Sequence, residues 1–298
     1  MLNIKRLDPD ENPTASEIND CARTLNMMCK QWMGKSDFAP GLKVWTRKRG
    51  IRLLDSVGQF TLGPSAQGWS TSMAITTTTA SAIAGATTLT LASVTGVAST
   101  YVIAVELNSG SMFYTTVSGA PSGLVVTLAS GLPSAVASGN SVFCYQTAAQ
   151  VPRAIEAVVL RDQYYNDTPM RIMQQKTYDA LPDKADPTNE GDPTAIYWEE
   201  GLSSGVLYTD VGMCADISKY FVVTYQEPVQ DFTTALDNPY YPQEWYLALC
   251  WGLSEQIAPM FGASWNDKME QLKNSAIAIA RNHSAEISDL YFQPGAED

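Results

Sequence analysis

PQEWYLALCWGLSEQIAPMFG, residues 242–262, decides how the rest of the chain is read. Pro242 stands where a helix begins and where a missing amide costs nothing. Trp245, Leu249, Leu253 and Ile257 recur every four residues and form one apolar stripe, and Pro259 with Gly262 closes the run. The spacing predicts a helix over 242–258. Tyr246, Leu247, Trp251 and Ala258 fall off that stripe. A helix apolar over most of its circumference is buried on more than one side, and in a chain of 298 residues the second side is expected to be a subunit interface.

Working outward, Ser264 is expected to cap a further helix over 264–284, with Met269, Leu272, Ala276 and Ile279/Ala280 on one face. The tail 285–298 turns acidic and Pro-Gly-rich and reads as exposed or ordered by a partner. At the other end, Thr14-Ala-Ser-Glu17 has the form of a capping box, preceded by Pro13. Ile18, Cys21, Ala22, Leu25, Met28, Cys29 and Trp32 follow at spacings of three and four until Gly34 stops a helix over 14–33. Isolated helices of this length are marginal in water, so the N- and C-terminal helices are expected to share one apolar bundle.

Between them the chain reads as β-rich. Residues 42–47 and 51–62 look extended up to the Gly63-Pro64 turn. From Ser56 to Pro152 the only charged residue is Glu106. Ala86–Leu91, Tyr101–Leu107, Met112–Val117, Leu124–Leu128 and Ser141–Tyr145 read as short strands separated by Gly-, Pro- and Asn-rich turns. That regular spacing predicts an inserted all-β module, a sandwich or small barrel. Further on, Ala154–Leu160, Met170–Met173, Ala195–Trp198, Gly205–Thr209 and Lys219–Tyr225 read as strands, with a helical turn at Thr177–Leu181. The expected fold is therefore α+β. Residues 1–68 supply the first helix and strands of the core, 69–149 the inserted module, 150–241 a mixed β-rich part, 242–284 the C-terminal helices and 285–298 the tail.

The net charge of −12 argues against a general nucleic-acid binder, which needs clustered basic charge. The charge is uneven: residues 1–52 carry +4 and the remainder −16. Cys21, Cys29, Cys144, Cys214 and Cys250 are scattered without a CxxC spacing and read as reduced thiols, with Cys21 and Cys250 as small core residues. The first residues lack an apolar signal-peptide core and no run is long enough to span a membrane, so no membrane partner is expected.

Little in the sequence suggests catalysis, a cofactor or a metal. The single histidine, His283, sits near the end of the last helix, where a cation simply suits the helix C-terminus. Phosphate-loop, dinucleotide and zinc-protease patterns are absent from the sequence. Asp8-x-Asp10-x-Asn12 opens like a calcium loop, but Pro13 and Asn19 stand where glycine and glutamate are needed. Glu199-Glu200 beside Trp198 is the most suggestive acidic pair, yet neighbours on a strand point to opposite faces and would not share one substrate. The chain is expected not to be an enzyme.

The candidate sites are contact sites. Arg47-Lys48-Arg49, with Lys43 and Arg52, forms the one dense basic cluster. It suits another protein subunit, DNA phosphate or plain solvent, and the acidity of the remaining chain favours a protein. Trp245, Trp251 and Trp265 read first as core and second as subunit contacts, and Lys268 and Arg281 join them as candidates for contact with a partner.

Three segments resemble the head–tail adaptor (head-completion) proteins of short-tailed bacteriophages. The first is Pro13-Thr-Ala-Ser-Glu17 through Ala22-Arg-Thr-Leu25 to Trp32, followed by Gly41-Leu-Lys-Val-Trp45. The second, Thr87-Thr-Leu-Thr-Leu91 through Ile103-Ala-Val-Glu-Leu107 to Thr115-Thr-Val117, is similar to a β insertion of longer members. The third runs from Pro152-Arg153 through Gly191-Asp-Pro-Thr194 to Tyr241-Pro-Gln-Glu-Trp245 and Ala258-Pro259-Met-Phe261-Gly262. The resemblance implies a virion protein assembled in the host cytoplasm and located at the portal vertex. It implies a ring, twelve-fold in this family, that binds the portal protein, extends the DNA channel, retains packaged DNA and offers a platform for tail nozzle or tail fibre proteins. It also implies that Ser264–Asp298 meets the portal and that DNA passes the lumen without sequence recognition. Two other readings stay open: a glycan-binding or cell-wall-degrading virion protein, and a tail tube or nozzle subunit.

Overall fold

The computed structural model describes residues 13–32, 47–227 and 243–284. Expectations for Asp8–Asn12, Lys43, residues 42–46, Pro242 and the tail 285–298 lie outside them. The chain divides into two compact units, one from Met1–Thr46 with Pro228–Asp298 and one from Arg47–Glu227. Among the described residues the helices are α1 (Ala15–Trp32), α2 (Gln175–Asp179), α3 (Tyr246–Ile257) and α4 (Asp267–Ser284). The body between α1 and α3 is β-rich, and the whole is α+β.

In the first unit, α1 starts on the capping box. The Thr14 amide donates to Glu17 Oε2 at 2.9 Å and the Glu17 amide donates to Thr14 Oγ1 at 3.3 Å, so two orphan donors are satisfied. Trp245 lies in a 3-10 turn, Gln243–Trp245, that leads into α3. Met28, Cys29 and Trp32 of α1, Ala248 and Leu249 of α3, and Ala276 and Ala280 of α4 meet Trp245 in one apolar cluster. Gly252 makes the α1–α3 approach possible, because a Cβ there would stand 2.5 Å from the Trp32 ring. Gly262 ends the following 3-10 turn in the left-handed region at φ 64°.

Helix α4 departs from expectation. It begins at Asp267, not 264, and Asn266 caps it: Asn266 Oδ1 accepts the Met269 amide at 3.0 Å. The buried positions are Ala276 and Ala280, flanked by half-buried Met269, Lys273 and Ile277, whereas Leu272 and Ile279 point to solvent. Small side chains let α4 lie close to its neighbour, and that closeness, not hydrophobicity alone, chooses the inner face.

In the second unit, β1 (Arg47–Leu53), β2 (Gln59–Leu62) and β3 (Trp69–Ser70) open an eight-stranded sheet. An inserted set follows: β4 (Ala74–Thr77), β5 (Thr88–Thr90), β6 (Val102–Glu106), β7 (Met112–Thr116), β8 (Val125–Thr127) and β9 (Ser141–Tyr145). The chain then returns through β10 (Ala154–Arg161), β11 (Asp167–Met173), a short β12 (Glu190–Gly191), β13 (Ala195–Glu199), β14 (Gly205–Thr209), a short β15 (Met213–Cys214) and β16 (Tyr220–Gln226). The sheet order is β2-β14-β13-β11-β10-β16-β1-β3.

This sheet is curled almost into a barrel. Phe60 on β2 and Phe221 on β16 are five strands apart in it. In a flat sheet that is about 24 Å at the usual strand spacing. Their rings meet edge to face at 5.5 Å, across a shared interior with Leu62, Trp69, Leu207 and Tyr225. Gly50 leaves room for the Trp69 ring to lie over β1, a place where any Cβ would collide with it. Strand β1 runs straight through Arg47-Lys48-Arg49-Gly50, across the gap between the two stretches expected to be extended.

The inserted strands form a second, smaller barrel. The pairings β4–β9, β9–β6 and β6–β7 make one sheet and β5–β8 another. Backbone bonds close the two joints: Ser118 N to Thr127 O and Ala129 N to Thr116 O on one side, Thr79 N to Thr90 O and Ala92 N to Thr77 O on the other. Leu89, Leu91, Ile103, Val105, Val126 and Val142 fill its interior. Strand β4 went unread in the sequence, because Ala74-Ile-Thr-Thr77 carries no clean alternation and all four residues are half-buried. Trp69–Ser70, which the sequence placed in the module, pairs with β1 and belongs to the larger sheet.

The small barrel lies on the outside of the large one. Ala104, Met112 and Phe143 pack on Leu53, Tyr220 and Val222. Phe221 and Val223 of the same strand face the other way, into the large barrel, so β16 is covered on both faces.

Replacing Gly252 by Ala tests the close approach in the helical unit. In an open helix that change stabilises by about 1 kcal/mol. Here it is expected to destabilise by about 1–3 kcal/mol, the usual cost of overpacking, measured by urea unfolding followed through tryptophan fluorescence.

Candidate interaction surfaces

The basic run of β1 is divided by strand alternation. Arg47 and Arg49 are exposed and share one face. The Arg47 guanidinium pairs with the Glu156 carboxylate of β10, whose other oxygen accepts Gln226 Nε2 at 2.8 Å. Arg47 is thus engaged in joining three adjacent strands. Lys48 is half-buried on the opposite face. Arg52 lies within the large barrel, only 8 % exposed. Its guanidinium sits 5.0 Å from the Phe60 ring centre, and Nη1 donates to the Leu53 carbonyl at 2.6 Å. Burial raises the Tyr114 hydroxyl pKa, partly offset by the nearby Arg52 charge and its hydrogen bond. Of the four described cations in this run, Arg47 and Arg49 share an exposed face, while Lys48 and Arg52 lie on the other.

The three tryptophans also differ. Trp245 is fully buried and therefore core, which removes it from any contact surface. Trp251 and Trp265 are half-buried and meet edge to face at 6.3 Å. The Trp265 indole donates to Glu270 Oε2 at 3.0 Å. Lys273 stands between Glu255 of α3 and Glu270 of α4, 2.7 Å from each, and ties the two helices. Burial pulls its ammonium pKa down, but the two carboxylates outweigh that and the net shift is upward. Lys268 and Arg281 are exposed at the two ends of α4.

The acidic pair diverges in surroundings. Glu199 Oε2 accepts the Tyr208 hydroxyl at 2.8 Å, at the margin of a stack of Tyr178, Tyr197 and Tyr208 with centroids 5.3–5.8 Å apart. Glu200 follows the end of β13, and the Trp198 side chain packs toward the barrel core. Among the described residues no cluster of three His, Cys, Asp or Glu side chains is placed to hold a metal ion.

Two further surface features stand out, the first without a sequence signal and the second signalled only in part, by Tyr246 and Leu247 lying off the α3 stripe. Clefts of about 420 and 480 Å³ flank Tyr145 where the chain crosses between the two barrels. Pro64, Gln67, Tyr114 and Ser130 line one, and Ser72, Tyr101, Cys144 and Gln146 the other, with no charged residue in either lining. The second feature is a set of exposed apolar side chains on the helical unit: Met27 of α1, Tyr246 and Leu247 of α3, Met260, and Leu272 and Ile279 of α4. Leu247 is 58 % exposed and Met27 55 %. Helix α3 therefore buries Ala248, Leu249, Gly252 and Ile257 while presenting Tyr246, Leu247 and Cys250 to solvent. Exposed Cys250 corrects the expectation that it is a core residue; Cys21 is half-buried beside Ile257 and Ala258. Burial pushes the Cys144 thiol up to about 11 and Cys214 to about 12, so both are poor nucleophiles.

No helix among the described residues is long and apolar enough to cross a membrane. No protein-family model matches the chain, and no curated protein sequence matches it significantly.

Lys273 and the Trp265 indole hold the Glu270 carboxyl below its ordinary value of 4.5. A carboxyl depressed in the folded state stabilises fully above its ordinary value and loses that contribution as pH falls through the folded one. Wild type is therefore expected to lose stability below pH 4.5 in a way that Glu270→Gln, already lacking the anion, does not. Unfolding curves of both proteins across acid pH, read from tryptophan fluorescence, check this. Parallel decline of the two would count against the linkage.

Proposed function

We propose that the chain is a structural virion protein, a subunit of an adaptor ring between the portal and the tail of a short-tailed bacteriophage. In this reading it acts at the portal vertex, extends the DNA channel and retains the packaged genome without chemistry of its own. The helices from the two ends of the chain form a bundle whose remaining apolar face is covered by the portal or by a neighbouring copy.

The observation that carries the reading is the two-sided character of α3. Its inner side joins the cluster around Trp245, and its outer side still offers Tyr246 and Leu247, with Met27, Leu272 and Ile279 exposed on the adjoining helices. Several large apolar side chains left exposed on so small a unit favour a surface used by a partner. Rigid aromatic and aliphatic anchors of this kind dominate the energy of protein interfaces. The resemblance of the terminal segments to adaptor proteins names the partner, and the acidity of the chain beyond residue 52 suits a channel through which DNA slides without sticking. A cell-wall-degrading role draws less support, because Glu199 is engaged by Tyr208 rather than poised opposite Glu200.

Mixing the purified chain with the portal protein of the same phage is expected to add a ring layer in negative-stain images. Cys250 lies one helical turn from Leu247 and Tyr246, so a bulky maleimide on it covers the outer side of α3. Such labelling, or Leu247→Glu, is expected to weaken portal binding by on the order of 2 kcal/mol, the scale of an interface hot spot, with circular dichroism unchanged. No added layer, or undiminished binding by the labelled chain, would overturn the proposal.

A further inference from the structure

We propose that the outward face of the small barrel, built on β5 and β8, is the surface through which copies of this chain touch one another. The proposal rests on the ring reading above and names one side of the head-to-tail contact that joins neighbours in it, since a ring contact pairs two different surfaces. Around the small barrel the strands follow the order β4, β9, β6, β7, β8, β5. The β9–β6 side is docked on the large barrel through Ala104 and Phe143. The β5–β8 side is therefore the one turned away from it. In the β5–β8 register Leu89 and Val126 face each other inward and are buried. Thr88 opposite Thr127, and Thr90 opposite Val125, face outward, with Leu124 exposed beside them. Closure of the barrel leaves no open strand edge here, so a partner meets side chains and not a β ladder.

Charge selects the partner. Of the chain's net −12, residues 56–152 hold −1 and the rest −11. The lone Glu106 is half-buried, and its carboxylate accepts the Ser141 amide at 2.8 Å. Copies of an acidic chain that meet through their charged parts bring like charges together, which costs several kcal/mol when they are juxtaposed. A neutral threonine and valine surface carried out from the body lets identical chains touch while their acidic parts stay apart. The alternative, basic β1 of one copy against an acidic neighbour, has Arg47 already engaged by Glu156.

The two modes of self-contact differ in sign with salt. Contact through a neutral face is opposed by residual repulsion between bodies, so screening strengthens it; contact through Arg47 and Arg49 is weakened by screening. Sedimentation equilibrium of the full chain, without portal, at low and high salt is the test. Three proteins are compared: wild type, Thr88→Glu/Thr127→Glu, and Gln59→Glu/Thr61→Glu. The last adds the same charge on the exposed side of β2. Wild type is expected to self-associate more tightly as salt rises. The β5–β8 variant is expected to associate at least about tenfold more weakly than the β2 variant, because it places two added carboxylates at the contact. A wild-type chain that stays monomeric at high salt, an association that salt weakens, or equal behaviour of the two variants would each overturn the proposal. Portal binding by wild type is read separately, so failure of this contact is distinguished from failure of the adaptor reading.

Discussion

Strand β16 is buried on both faces, and most of the second unit follows from that. Phe221, Val223 and Tyr225 enter the large barrel, while Tyr220 and Val222 meet the small one. A strand covered on both sides must be apolar almost throughout, as Tyr220-Phe-Val-Val-Thr-Tyr225 is. It pairs with β1 over seven residues and with β10 over a similar length; the inserted segment leaves from β3, on the far side of β1, and returns into β10, so β16 and β1 lie between its two ends. The insertion is thereby fixed to the body through a shared core rather than hung on a linker. Deleting Phe143 or Tyr220 side-chain volume would loosen both barrels together, since large buried truncations typically cost about 3–5 kcal/mol.

Local signals in the sequence were legible where the physics is local. Strands β9 and β14 match their expected limits to the residue, and the capping box at Thr14 forms as its spacing requires. The helices existed where the three–four spacing placed them. What the sequence did not disclose depends on partners distant along the chain. The curl that brings Phe60 to Phe221 has no local signature. Arg52 looked like one more surface cation, yet its phase along β1 with Gly50 and Leu54 sends it inward against Phe60. Leu272 and Ile279 looked like the inner face of α4, but Ala276 and Ala280 took that face, because the close approach of helices favours small side chains over large ones. The candidate contact residues follow the same pattern: Trp245 is core, while Leu247 and Met27, more exposed than any of the candidate tryptophans, carry no sequence mark beyond Leu247 lying off a stripe.

The two units carry complementary kinds of surface. The helical unit offers large apolar side chains around α3, suited to firm docking once they leave water. The β unit offers a small barrel whose one charged residue is Glu106, on an otherwise acidic chain. In the proposed ring these have separate tasks: helices hold the copy to its platform, and the neutral barrel meets the next copy. A protein with both would tolerate dilution as a single chain and assemble where a platform concentrates it, because the second contact then becomes effectively intramolecular.

The proposed adaptor role is tested most directly by a reconstruction of the portal vertex of a short-tailed phage whose genome carries this sequence. The account expects paired barrels, one large and one small, repeated around the DNA channel between portal and tail, with α3 covered by protein on its outer side. Density for the chain at the tip of a tail fibre or on the capsid shell, with α3 facing solvent, would contradict it.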